Sequence, residues 1–239
     1  VGNLRLFPGG TRYYKKVLSV EPGSLIGYWP QWEALGSRAE DLSGRGHHGA
    51  YTGVTLGQTG IGDGRTCPLY DGANDYTNIY SAGLAAALNP AELTLSAWFN
   101  PANVGVWTDG VARDLAFLSA DANNIIDLRK GATNNLLGCR YIAGGVSKTI
   151  FPAYSAVGWA KIDMTVSVAA NQLKLFINGA QVGTTQTGLG TWAGALADTR
   201  AAIGCSVITP VEAWSGNLAH VALWSKALTA AEIAYLSKV

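Results

Sequence analysis

No run in the sequence approaches eighteen consecutive apolar residues, so it holds no candidate membrane-spanning helix. Charge is scarce as well as balanced. Seventeen Lys and Arg face sixteen Asp and Glu, for a formal net charge of +1. That excludes a globally basic nucleic-acid binder. Cysteine is also rare. Cys67, Cys139 and Cys205 are odd in number and form no C-x-x-C pair, which fits neither a disulfide framework nor a zinc site. Three buried free thiols are expected, a usage that suits assembly in a reducing compartment. The first twenty residues lack the roughly 7–15-residue apolar stretch of a secretory signal peptide. The chain starts at Val and has a single methionine, Met164, which is compatible with a processed form. There is no internal repeat with a period of roughly 20–50 residues, so a propeller or solenoid is not expected.

What is abundant points to strands. The 239 residues are 48% hydrophobic, enough for a sizeable core, and include 30 Gly, 8 Trp and 10 Tyr. Apolar segments of four to ten residues alternate with clusters of Gly, Asn, Asp or Pro. The expected strands are 25–29, 75–80, 93–99, 114–119, 124–130, 136–142, 146–151, 159–168, 172–177, 180–185, 200–205 and 216–224. Several alternate with period two. In 161–168, Ile162, Met164, Val166 and Val168 oppose Lys161, Asp163, Thr165 and Ser167. Such alternation predicts a sheet with one buried face. Asn178-Gly179 tolerates positive φ at both central turn positions and predicts a two-residue hairpin there.

Two helices are expected, a short one over 81–88 and a C-terminal one over about 229–237. Thr229 and Glu232 have the spacing of a capping box, and Leu228 and Ile233 that of a hydrophobic staple. Charge sets the N-terminus apart. Residues 1–20 carry Arg5, Arg12, Lys15 and Lys16 and no acid, while the other 219 residues hold thirteen basic and sixteen acidic side chains. The sequence therefore divides into a basic arm, 1–24, and a domain over 25–239. The arm is expected to pack little on its own domain and to order against a partner.

Five motifs in order resemble the laminin-G-like branch of the concanavalin A-like jelly rolls. They are LIGYWPQWE followed by AEDLSGRGHHGAYTGV (25–33 and 39–54), LYDGANDYTNIY (69–80), LTLSAWFNP (93–101), LKLFINGAQVG (173–183) and WSGNLAHVALWSKALTAAEIAYL (214–236). The resemblance implies an all-β fold, a two-sheet antiparallel jelly-roll β-sandwich with a short C-terminal helix. It also implies that ligands sit on rim loops or the concave face, and that fold alone does not fix function.

Glycosidases need two carboxylates set across the scissile bond. The alternating Glu-x-Asp-x-x-Glu triplet of related glucanases is absent, Glu40 and Asp41 are adjacent, and Asp109 and Asp114 fall in or beside a Gly-containing loop. No pair of acids is expected to face across a cleft. The sequence has no G-x-S-x-G, and His220 in a strand reads as a hydrogen-bonded packing residue. Calcium is the one cofactor the resemblance suggests, with Asp41 and Asp71 at its acid-bearing positions, although Ala219-His220 stands where relatives carry Asp-Glu. The other reading of both acids is as turn-formers beside glycines. For glycan binding, Trp107 and Trp192, each flanked by glycines, are the expected recognition pair, while Trp98, Trp159 and Trp224 are assigned to the core.

The expected function is a noncatalytic recognition or assembly module displayed on a surface. The preferred setting is a phage virion, as capsid decoration or as a tail or fibre component, with glycan as a ligand and multiple copies in the assembly. The location is then the virion surface or the extracellular space. The alternative is a secreted glycan-binding module, and behind it a glycoside hydrolase.

Overall fold

The structure, a computed structural model, describes residues 12–239. Helix α1 (Tyr13–Ser19) precedes β1 (Leu25–Trp29), β2 (Arg38–Ala39), β3 (Gly49–Thr52), β4 (Thr55–Thr59), β5 (Thr66–Asp71) and β6 (Tyr76–Asn78). Helix α2 (Ala82–Ala87) leads to β7 (Glu92–Pro101), a single 3-10 turn at Val104–Trp107, β8 (Arg113–Asp121), β9 (Asn124–Lys130), β10 (Leu137–Ala143) and β11 (Val146–Ile150). The remainder is β12 (Ala160–Ser167), β13 (Gln172–Ile177), β14 (Ala180–Gln186), β15 (Ala201–Ile203), β16 (Ser215–Trp224) and α3 (Ala230–Leu236).

The strands form two antiparallel eight-stranded sheets. The first runs β14-β13-β12-β7-β16-β5-β4, with β1 also paired to β16, and the second runs β11-β10-β9-β8-β15-β6-β3-β2. Between them lies the main core, built from inward residues such as Trp29, Tyr70, Leu95, Phe99, Leu128, Tyr141, Met164 and Leu175. Asn178 (φ +50°) and Gly179 (φ +85°) form the β13–β14 hairpin tip, as their preference for left-handed φ requires. Ser81 caps α2 by accepting from the Leu84 N–H. Thr229 and Glu232 close the expected capping box on α3, with Leu228 and Ile233 buried beside it.

The sheets differ from the expectation of one buried face. On β12, Ile162, Met164 and Val166 enter the main core, yet Lys161, Asp163 and Thr165 are buried too. A second apolar layer covers them, in which α1 and α3 lie on the outward face of the first sheet with Trp98, Phe176, Trp224 and Tyr28. The expectation for the arm is corrected here for residues 12–20. Tyr13, Val17 and Val20 fall at helical spacing and are buried, the Tyr13 hydroxyl donates to the Leu236 carbonyl (2.8 Å), and Trp224 Nε1 donates to the Val20 carbonyl (2.9 Å). Residues 1–11 of the arm lie outside the described residues. Under this layer Lys161 donates to Asp163, and both are fully buried. Burial pushes the lysine down and the aspartate up, each toward its neutral form.

Candidate functional site

The outward face of the second sheet is built differently. On β9 the inward residues Ile126 and Leu128 alternate with outward Asp127 and Arg129. Arg140 on β10 stands opposite Asp127, and Asp114 on β8 stands opposite Arg129. Glu212 reaches the same place from the loop between β15 and β16, held by its own carbonyl accepting from the Asp114 N–H at 2.7 Å. Its φ of +55° lies in the left-handed region that non-glycine residues rarely adopt, a strain typical of positions fixed for function.

These five side chains interlock. Arg129 Nη2 donates to Glu212 Oε1 at 2.7 Å, and Arg140 donates through Nε (2.8 Å) and Nη2 (2.5 Å) to one oxygen of Asp127. Arg129 also lies 3.6 Å from Asp114 and from Asp127, too far for a hydrogen bond. Asp114 and Asp127 are fully buried, whereas Arg140 and Glu212 keep 24% and 34% of their side chains exposed. Burial, reinforced by the Asp127 charge, pushes the Asp114 carboxyl well above the usual range, toward its neutral form. Neither Asp114 oxygen has a hydrogen-bond partner among the described residues. Burial raises Asp127 to about 6 against the pull of Arg140 and Arg129. Glu212, although burial opposes it, is held below the ordinary range by the Arg129 guanidinium.

A cleft of about 380 Å³ opens over this network. Arg129, Arg140 and Glu212 form its polar side and Leu136 and Phe151 its apolar side. A glycine lets the Phe151 side approach β10. Gly138 stands opposite Arg129, and a Cβ there would meet the Ile150 carbonyl at 1.8 Å and the Phe151 ring at 2.8 Å. The neighbouring loop is pinned. Buried Lys130 donates to Asp109 (2.6 Å) and to the Val111 carbonyl (2.7 Å), and Arg113 Nε donates to Asp109 (2.8 Å).

The residues expected to recognise ligand lie elsewhere. Trp107 has no exposed surface. It packs edge-on to Phe99, Tyr154 and Trp214 and donates to the Ala156 carbonyl at 3.0 Å, so it closes the end of the sandwich from within. The glycines around it mark the tight turn before β8, and the expectation of an exposed ring is corrected. Trp192 is half-buried against the core and donates to the Gly194 carbonyl. The two do not form a pair. The Trp107 carbonyl accepts from Asn135, before β10, while Ala193 and Gly144, after β10, share Asn124 Oδ1. A whole strand separates them, on the order of 25 Å.

Asp41 and Asp71 are not brought together either. Asp41 is buried and accepts from the N–H groups of Tyr28, Ser43 and His47 and from the Ser43 hydroxyl, all at 2.8–2.9 Å. Asp71 is exposed and accepts from Ala73 and Asn74 N–H groups. Tyr28 pairs with Ala222 and Asp71 with Ser215 along β16, which puts the two acids roughly 20 Å apart. Both work as turn-formers, and no cluster of three or more His, Cys, Asp or Glu side chains suited to a metal occurs among the described residues. His220, at a bulge of β16 with φ +50°, is the packing residue expected, bonded to the Tyr28 hydroxyl (2.8 Å) and 3.1 Å from Asp63. All three cysteines are buried free thiols, and burial raises Cys67 and Cys205 to about 12.

The model of the concanavalin A-like lectin/glucanases superfamily matches residues 71–234. The chain belongs to this superfamily. No protein of curated function is similar to it in sequence. Among solved structures, domain 4 of AbnA, an extracellular arabinanase from Geobacillus stearothermophilus in complex with arabinotriose, is 16% identical with a TM-score of 0.66, over 90% of this chain and 98% of that one. The receptor binding domain of botulinum neurotoxin mosaic serotype C/D is 13% identical with a TM-score of 0.70, over 90% of this chain and 51% of that one. Trypanosoma rangeli sialidase in complex with sialic acid is 13% identical with a TM-score of 0.63, over 90% of this chain and 33% of that one. Identities this low show the shared fold, so the residues of the cleft must carry the functional reading.

Acids far apart in sequence converge beneath that cleft, from two strands and a loop, so no alternating triplet on one strand marks them. One signal was available. Asp127 and Arg129 alternate with Ile126 and Leu128 in a recognised strand, and outward charges of opposite sign on one strand mark a polar face worth building on.

Proposed function

We propose that this superfamily member is a noncatalytic glycan-recognition domain that takes a short saccharide in the cleft over Arg129, Arg140 and Glu212. One observation carries the reading. Of the three converging carboxylates only Glu212 reaches solvent, while Asp114 and Asp127 are fully buried. Glycosidases set their acid and their base or nucleophile on either side of the bond, roughly 5–10 Å apart. With one carboxylate reaching the cleft, no second one is placed to act across a glycosidic bond there. The cleft instead has what sugar binding needs, charged hydrogen-bonding groups beside an aromatic ring and a volume suited to a small ligand. The neighbouring domain crystallised with arabinotriose supports a short saccharide as the ligand.

The test is a glycan array probed with the purified chain. Retention is expected, with loss on Arg140→Ala wherever that variant is still folded. Release of product from any retained glycan would overturn the noncatalytic reading. For setting, we place the domain on the surface of a larger assembly such as a phage capsid or tail, attached by the segment that carries Arg5 ahead of α1. Removing residues 1–11 should then abolish incorporation and leave the melting temperature unchanged. Incorporation that survives the deletion would refute that placement.

A further inference from the structure

Resting on the glycan reading, we infer that the cleft recognises the vicinal hydroxyls of an uncharged sugar ring and discriminates against sugars that carry a carboxylate. The inference comes from how the hydrogen-bonding capacity is already spent. Arg140 uses Nε and Nη2 on Asp127, which leaves the Nη1 edge without a protein partner among the described residues. Glu212 uses Oε1 on Arg129, which leaves Oε2 likewise free to accept. The cleft therefore offers a charged donor and a charged acceptor on the same wall. A hydroxyl is donor and acceptor at once, so two adjacent hydroxyls can satisfy both groups. A carboxylate only accepts. It could bond Arg140 but would set its charge against Glu212.

The charge balance argues the same way. The two guanidinium charges are each paired, Arg129 with Glu212 and Arg140 with Asp127, and burial pushes Asp114 toward its neutral form. No surplus cation remains to draw in an acid. The apolar wall completes the fit. Phe151 and Leu136 offer a surface to the C–H face of a ring whose hydroxyls point toward Arg140 and Glu212.

The experiment compares retention of neutral oligosaccharides with retention of their sialylated or uronate-capped counterparts, for the whole chain and for Glu212→Gln. The parent is expected to hold the neutral forms about tenfold more tightly, the scale of one charge-assisted hydrogen bond. Glu212→Gln keeps an acceptor for Arg129 and removes the repulsion, so the preference should shrink severalfold. Arg140→Gln, which removes the charged donor, should weaken the neutral forms at least as much as the acidic ones, and it carries the test if Glu212→Gln does not fold. A parent that prefers the acidic forms, or a preference untouched in folded Glu212→Gln, would overturn the inference and leave the glycan reading standing. Retention of neither class would overturn both.

Discussion

On the outward face of the first sheet Lys161 and Asp163 stand two residues apart on β12. On that of the second sheet Asp127 and Arg129 stand two residues apart on β9. The local pattern is the same, opposite charges alternating with core residues, yet the surroundings differ. Two helices seal the first pair and leave it a structural element with no access to solvent. The second pair lies under a cleft, and its network ends in Arg140 and Glu212, which reach water. Alternation specifies that a strand has a polar face, but what packs on that face decides whether its charges hold the fold or meet a ligand.

Breaking the sealed pair should give the largest effect. Asp163→Ala leaves Lys161 buried without its counter-charge and should cost about 3–5 kcal/mol in denaturant unfolding, with glycan retention unaffected wherever the variant is still folded. Loss of retention without loss of stability would erase the contrast between the two faces. Tyr13→Ala removes the anchor of α1 and should cost about 3 kcal/mol. A variant as stable as the parent would show that α1 contributes nothing to the seal.

The open face should respond to pH. Asp127 is raised to about 6, above its ordinary value, so the folded chain holds that proton more tightly than the unfolded chain does. Its contribution is present at low pH and is lost as pH rises through about 6. Asp114 is raised in the same sense and Glu212 is lowered. Buried His220 and His47 are lowered and act the other way, since the unfolded chain takes up their protons first as pH falls. The measurement is therefore a difference. Between pH 5 and 7 the parent should lose stability relative to Asp127→Asn as pH rises, and parallel curves would remove Asp127 from the account.

Smaller effects mark local devices. Thr229→Ala should cost about 1 kcal/mol by loss of the cap on α3. We expect excess chelator to leave the melting curve unchanged, because Asp41 is already saturated by four donors. A fall in melting temperature would restore calcium as a ligand of this domain.

The fold was legible where a signal is local. Asn178-Gly179, the Thr229 capping box and the alternation of β12 each depend on a few adjacent residues, and each appears in the structure. Strands β2 to β5 were not legible, because they are short, run through glycines 44–64 and include Pro68, and their pairing comes from distant partners. Helix α1 was hidden by its lysines, although Tyr13, Val17 and Val20 carry the stripe. The site was legible in half. Asp127, Arg129 and Arg140 lie in recognised strands, but Glu212 is placed by a loop in a left-handed conformation that no local pattern announces. Trp107 misled because glycines around an aromatic ring signal a turn without saying which way the ring points.

The position of β16 has a consequence for how the chain reaches this state. It lies between β7 on one side and β5 and β1 on the other, so it joins the two halves of the first sheet. Its contacts reach back to Leu25, nearly two hundred residues earlier, and those of α3 reach back to Tyr13. Contacts of such sequence separation are slow to form. Until residues 215–224 have been synthesised and docked, β7 and β5 present unpaired edges, which invite association with other chains. Completion of the first sheet should therefore be a late event in folding, and the yield of native protein should depend more on protection of those edges than on the stability of the finished sandwich.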